Sequence, residues 1–171
     1  MLAGFELQLL APLHQRNRFD CASASLNEFI RKYAKNQNKN DTTRVHVYAD
    51  AEGRIAGFFT LSASALDLTG LPEFFQKGRS RLPVPATLLG RFAVDNAFAG
   101  RGVGRFLLSR ALRAALESNS IVASAAVMLD LADDASSRAE ALYRDVGFIS
   151  LASNPRRMIL PMVDIDRHLS S

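Results

Sequence analysis

Hydrophobic and polar positions along this chain switch between two periods, and the switches outline its elements. Leu26, Phe29, Ile30 and Tyr33 fall at i, i+3, i+4 and i+7, one face of a helix, with Arg31, Lys32 and Lys35 on the other side. Ser25 followed by Glu28 reads as a capping box at its start. The polar run 36–41 reads as a helix end followed by a loop. Val45, Val47 and Ala49 then alternate with Arg44, His46 and Tyr48, the mark of a half-buried strand. Asp50 to Gly53 is a turn and Ile55 to Ser62 a second strand, so a hairpin is expected. A short helix is expected within Leu66 to Phe75, and Gly78 to Pro85, with its two prolines, reads as irregular.

In the second half, Ala86 to Asp95 is strand-like and Asn96 to Gly104 is a glycine loop. Arg105 to Glu117 predicts a helix with Leu108, Leu112 and Leu116 on its apolar stripe. Val122 to Leu131 reads as a strand, and Ala135 to Asp145 as a helix stopped by Gly147. Phe148 to Leu151 and Met158 to Val163 read as closing strands joined through Ser153-Asn154-Pro155. This order predicts a mixed α/β domain in which helices follow strands. The 171 residues suit one domain, 1–171.

Charge changes the picture in one place. The formal net charge is +4, and between residues 74 and 110 Lys77, Arg79, Arg81, Arg91, Arg101, Arg105 and Arg110 face Asp95 alone. That stretch straddles the glycine loop and would draw a phosphate-bearing ligand; it reads equally as a solvated basic face. No apolar run approaches the roughly 20 residues of a membrane span, so no membrane partner is expected. The N-terminus lacks the basic start of a secretory signal. The single Cys21 has no intrachain disulfide partner and no evident histidine partner, which predicts a reducing, cytoplasmic setting and a small buried residue. His14, His46 and His168 show no metal-ligand spacing, so no metal is expected.

A strand that runs into a glycine turn and opens a helix is suited to an anion. The first amides of a helix lack an internal acceptor, the helix dipole is positive there, and glycines let the backbone approach closely. Arg101 and Arg105 add formal charge. A Walker A loop needs Gly-Lys-Ser/Thr, which is absent. A dinucleotide fingerprint needs a third glycine where this chain has Arg105. The loop alone is compatible with a phosphate ligand or with a ligand-free turn.

The stretch Leu89-Gly90-Arg91-Phe92-Ala93-Val94-Asp95 followed by Phe98-Ala99-Gly100-Arg101-Gly102-Val103-Gly104-Arg105 resembles the acetyl-CoA motif of the GNAT superfamily of N-acetyltransferases, Gln/Arg-x-x-Gly-x-Gly/Ala. The resemblance implies acetyl-CoA as cofactor. Ala99, Gly100, Arg101, Gly102, Val103 and Gly104, with Arg105, would cradle its diphosphate, Ala99 standing where the family has a polar residue. Phe92, Ala93 and Val94 would pair through their backbone with pantetheine, on a strand that carries a bulge and then splays from the next one. It also implies a mostly antiparallel mixed (α+β) sheet with helices on both faces, split by the cofactor near residues 92 and 124.

Ala139-Glu140-Ala141-Leu142-Tyr143-Arg144-Asp145-Val146-Gly147-Phe148 resembles a second signature of that family, Ala-x-x-Phe-Tyr-x-x-x-Gly-Phe. It implies that Tyr143 protonates the departing CoA thiolate, a task open to a phenol that is protonated at neutral pH. Ser136 stands where the family often has an asparagine that touches the cofactor. No general base stands out. Asp95 and Asp130 lie near predicted strand ends, but Asp95 equally suits a cap on the glycine loop and Asp130 a solvated loop.

Phe19-Asp20-Cys21, Leu26 to Ala34, Gly57-Phe58-Phe59-Thr60-Leu61-Ser62-Ala63, Pro83-Val84-Pro85 and Leu88 to Asp95 resemble the acetyltransferase toxins of type II toxin–antitoxin systems. That resemblance implies acetylation of the α-amine of charged tRNA, a ribbon-helix-helix antitoxin as partner, and a homodimer. Arg31, Lys32, Lys35, Lys77, Arg79, Arg81 and Arg91 would then track the RNA phosphates; on charge alone they suit a solvated face as well. The segment 133–138 is about one helical turn longer than in typical toxins. Two other readings stay open: an acetyltransferase for a small amine or a protein amine, and a non-catalytic CoA-binding module.

Overall fold

The structure, a computed structural model, describes residues 1–67, 69–79 and 83–170. In chain order its elements are β1 (Phe5–Leu9), a 3-10 turn (Arg16–Arg18), α1 (Ala24–Glu28), a π-helical turn (Phe29–Tyr33), α2 (Ala34–Lys39), β2 (Arg44–Asp50), β3 (Ile55–Leu66) and α3 (Glu73–Gln76). β4 (Val84–Val94), a 3-10 turn (Asn96–Phe98), α4 (Val103–Asn119), β5 (Ala126–Asp130), α5 (Ser137–Val146), β6 (Ile149–Ser150), β7 (Arg157–Pro161) and α6 (Met162–Ser170) follow. The strands form a seven-stranded sheet in the order β1-β2-β3-β4-β5-β7-β6. It is mixed: β4 pairs with β5 in parallel, while β1 with β2, β2 with β3, β5 with β7, and β6 with β7 are antiparallel. No helix among the described residues is long and apolar enough to cross a membrane.

The chain divides into two compact units. The first comprises Met1–Ser62 and Gly90–Ala111. The expected hairpin is present, closed by Asp50, whose Oδ1 accepts from the N–H groups of Glu52 and Arg54, and by Gly53 at φ 82°. The first helix starts earlier than the capping-box pattern implied. Ser23, not Ser25, caps it, accepting from Leu26 N–H at 3.2 Å, while the Ser25 hydroxyl pairs with that of Ser23. The π-turn inserts one residue into the helical phase. Phe29 and Ile30 are buried as expected, but Ala34 takes the next inward position and Tyr33 is left 50% exposed. These side chains join Phe19, Val45, Val47, Ala49, Ile55 and Phe58 in one core.

The second unit comprises Ala63–Leu89 and Leu112–Ser171. Its core gathers Leu66, Leu71, Phe75, Ala86, Ala126, Met128, Leu151 and Ile159. Four sequence expectations are corrected here. The helix expected within 66–75 is only α3, because Leu66 still belongs to β3. The strand expected from Val122 begins at Ala126, and Ile121 and Val122 are exposed at 85% and 67%. The irregular stretch expected up to Pro85 gives way to β4 at Val84. The closing strand to Val163 stops at Pro161, where the chain turns into α6. In the first unit, β1 has no counterpart among the predicted elements.

Candidate active site

β4 ends with Phe92 and Val94 half-buried and Ala93 buried. Its close neighbour is Gly57. A Cβ there would stand 2.8 Å from the carbonyl oxygen of Ala93 and 2.6 Å from Leu107 Cδ1. The pairing of β4 with β5 covers Thr87 and Leu88, which leaves 92–94 outside that parallel ladder.

Asp95 follows, buried. Its Oδ1 accepts from Ala97 N–H at 2.9 Å and caps the 3-10 turn; its Oδ2 accepts from Asp20 N–H at 3.0 Å. Both oxygens are engaged by backbone donors, the capping arrangement the sequence offered as its other reading. Asp130 makes a two-pronged ion pair with Arg157, both contacts at 2.8 Å. Neither carboxylate is an idle proton acceptor.

The glycine loop then turns twice through the left-handed region, at Gly100 (φ 76°) and Gly102 (φ 79°). An added Cβ at either would meet nothing within 4 Å, so glycine is needed for the backbone angle and not for space. The first bond of the α4 ladder runs from Phe106 N–H to Gly102 O at 3.0 Å. The amides of Val103 and Gly104 precede it and have no acceptor within the helix. Ala99, Arg101 and Arg105 are exposed around them. This donor set fits a diphosphate: helix-start amides, the positive end of a dipole and two arginines.

Below the loop lies a support that sequence reasoning missed. Phe98 meets Phe5 with centroids 5.2 Å apart, Phe5 meets Tyr48 at 5.5 Å, and Tyr48 meets Phe106 at 4.8 Å. This ladder ties the near side of the loop to the first turn of α4, through β1 and β2. Above Phe98 sit two guanidiniums, Arg54 at 5.2 Å and Arg101 at 5.9 Å from the ring centroid. Arg54 was not marked by any local pattern; only the hairpin turn brings it there.

In the second unit, Ser136 is the N-cap of α5, its Oγ accepting from Ala139 N–H at 3.2 Å. Tyr143 is 6% exposed and meets Phe148 edge-on at 5.8 Å. Burial pushes its phenol pKa well above the ordinary value. Gly147, left-handed at φ 107°, ends the helix, and Phe148 N–H bonds to the Tyr143 carbonyl at 3.1 Å. The Gly-Phe stop is therefore what folds Phe148 back onto the tyrosine.

The basic residues divide. The guanidinium of Arg31 donates to Phe19 O at 2.6 Å and pairs with Asp20 at 3.7 Å. Lys32 pairs with Glu28 at 2.9 Å. Arg91 lies 5.4 Å over the Phe29 ring, which brings it to the helix that carries Lys35. Arg79 stacks on Phe75 at 4.2 Å and donates to its carbonyl. Lys35 and Lys77 are exposed, and Arg81 lies outside the described residues. Cys21 is buried, and no three His, Cys, Asp or Glu side chains among the described residues could hold a metal.

A family model of the acetyltransferase (GNAT) domain matches residues 41–150. This chain belongs to the GNAT acetyltransferases. The enzyme is 30% identical over 172 residues to the probable toxin TacT of Sinorhizobium fredii (strain NBRC 101917 / NGR234), covering 95% of both chains. It is 27% identical over 146 residues to a tRNA-acetylating toxin of Mycobacterium tuberculosis (strain ATCC 25618 / H37Rv), covering 85% of each. The structure of AtaT complexed with acetyl-methionyl-tRNAfMet shares its fold, with a TM-score of 0.87 and 24% identity over 95% of this chain and 98% of that one. The enzyme is thus an acyltransferase of the acetyl-CoA-dependent kind, most like the toxin acetyltransferases.

Proposed function

We propose that this enzyme acetylates the α-amine of the amino acid on charged tRNA and thereby blocks translation. The observation that carries the reading is the extent of the likeness. Identity to the probable toxin TacT runs over 95% of the chain, well beyond the 41–150 of the acetyltransferase domain. The added part holds the 19–39 region, outside the matched acetyltransferase domain.

When bound, acetyl-CoA supplies an activated acetyl thioester. The amides that open α4, with Arg101 and Arg105, hold its diphosphate. The backbone of Phe92 to Val94 offers a strand edge to its amides. Ser136, whose Oγ already accepts from Ala139 N–H as a helix cap, keeps its O–H as the donor it can offer. Tyr143 carries the proton for the departing sulfur; burial keeps the phenol protonated through the physiological range. The attacking amine arrives neutral and gives its proton to water, since Asp95 and Asp130 are engaged elsewhere. Lys35, Lys77, Arg79 and Arg91 meet the RNA as charges on its phosphates, with Lys32 and Arg31 contributing from behind their own partners. A ribbon-helix-helix antitoxin as natural partner, a homodimer as working form, and a cytoplasmic setting where charged tRNA is found complete the reading.

A cell-free translation system tests it. Added enzyme stops synthesis only when acetyl-CoA is present, and fresh charged tRNA restores it once the enzyme has been removed. Inhibition without acetyl-CoA, or none with it, would overturn the proposal.

A further inference from the structure

The residues that hold Asp95 link two motifs the activity alone does not explain, Phe19-Asp20-Cys21 and the Asp95-Asn96 pair that opens the loop. We propose that Asp95 is a positioning residue for acetyl-CoA, forming with Asp20 a latch that fixes where the glycine loop begins. The proposal rests on reading that loop as the diphosphate site.

Asp95 is buried, and its two oxygens do different work. One shapes the turn ahead by accepting from Ala97 N–H; the other reaches back 75 positions to Asp20 N–H. The return contacts come from the next residue. Asn96 N–H donates to Asp20 O at 2.8 Å, and Asn96 Nδ2 donates to Asp20 Oδ2 at 3.2 Å. Asp20 is held in turn from α1. Asn27 Nδ2 donates to Asp20 Oδ1 at 3.0 Å, and Asn27 Oδ1 accepts from Cys21 N–H at 2.8 Å. Arg31 completes the enclosure on the Phe19 carbonyl. The 19–21 segment lies in no regular element; these side chains satisfy its backbone together with two main-chain bonds, Phe19 N–H to Arg16 O and Asn96 N–H to Asp20 O.

The consequence falls on the loop. Gly100 and Gly102 lack side chains, and nothing lies within 4 Å of their Cβ positions, so packing at those points does not hold the backbone. It is defined at its far end by α4 and at its near end by the turn that Asp95 caps and from which Phe98 packs on Phe5. With the near anchor loosened, a ligand must order the loop as it binds, which weakens affinity without touching the reacting atoms. Asparagine cannot replace Asp95, because its amide offers one acceptor to two N–H donors.

The test is calorimetric titration of CoA into the full chain and into Asp95→Asn, Asn27→Ala and the double variant, each below its own melting transition. Acetyl-CoA KM and kcat with charged tRNA are measured alongside. The wild type binds. The Kd rises about tenfold in Asp95→Asn, in keeping with one buried donor left unpaired. It rises about threefold in Asn27→Ala, which lies away from the loop, and the double variant shows less than the product because the two share one network. KM for acetyl-CoA follows Kd while kcat stays within about twofold. If Asp95→Asn fails to fold, Asn27→Ala decides. A folded variant with wild-type Kd, or one that loses kcat and not affinity, overturns the latch. A wild type that binds no CoA instead brings down the cofactor reading, and the latch with it.

Discussion

The backbone of Gly57 passes so close to that of Ala93 that a Cβ would stand 2.8 Å from the Ala93 carbonyl oxygen. The same Cβ would meet Leu107 at 2.6 Å. One residue type thus lets β3, the end of β4 and α4 share a single contact. Leu107 could rotate away, but the Ala93 carbonyl belongs to the strand. Gly57→Ala should therefore cost about 1–3 kcal/mol, as an overpacked core does. Denaturant melts would show it as a lower midpoint with an unchanged slope.

Gly100 and Gly102 make the opposite case. A methyl group finds open space at both, yet the backbone angles of 76° and 79° are ones an L side chain resists. Alanine at either should cost about 1–2 kcal/mol if the loop keeps its shape. Because the loop is exposed, part of that strain will be relieved by a change of conformation. Melting will then fall little while the Kd for CoA rises. A titration of each variant separates this from Gly57→Ala, where stability falls first.

Tyr143→Phe removes only a hydroxyl from a buried ring. If that hydroxyl gives its proton to the leaving sulfur, kcat should fall by about 10²–10⁴-fold, the usual range for a lost general acid. The Kd for CoA should stay near wild type. Measuring both separates a chemical role from a packing one.

The same burial has a pH signature. The folded phenol pKa lies above the unfolded value of about 10, so the native state keeps a proton the unfolded chain releases. Tyr143 therefore adds stability that is fully present below about pH 10 and lost as pH rises beyond it. Melting temperatures from pH 9 to 11 should fall less steeply in Tyr143→Phe than in wild type.

Histidines act on the acid side. Burial is the largest influence on His14 and lowers its pKa. His46, stacked on Phe59, is lowered by burial and then by Arg44. The unfolded chain takes up these protons below about pH 6.5 before the native state does. Stability is therefore full above that pH and declines as it falls. His46→Leu should flatten the melting temperature between pH 6.5 and 5.

Local rules were enough for the hairpin, the glycine loop and α5. Each is defined by neighbours in sequence: Asp50 with Gly53, Gly100 with Gly102, and Gly147 at the end of α5, although the helix expected from Ala135 starts after its cap Ser136. What they could not supply was distant partnership. Phe5, Leu7 and Leu9 alternate with Glu6 and Gln8, but β1 is a strand because β2 lies beside it, with Phe5 paired to Asp50. Pro161 before Met162 and Asp164 was a legible helix start that the apolar run of β7 masked. Ser23 and Ser25 look alike in sequence; the geometry of Asn27 on Cys21 sets the chain so that Ser23 caps. The basic residues were visible as charge, yet nothing local foretold that Arg31 closes on Phe19 or that Arg91 lies over Phe29.

Transfer itself is the most direct measurement. Enzyme is incubated with labelled acetyl-CoA and either charged tRNA, the same tRNA stripped of its amino acids, or polyamines. Label should appear on charged tRNA alone and leave with the amino acid on mild alkaline treatment. Label on polyamines with none on charged tRNA, or no transfer to any acceptor, would contradict the account.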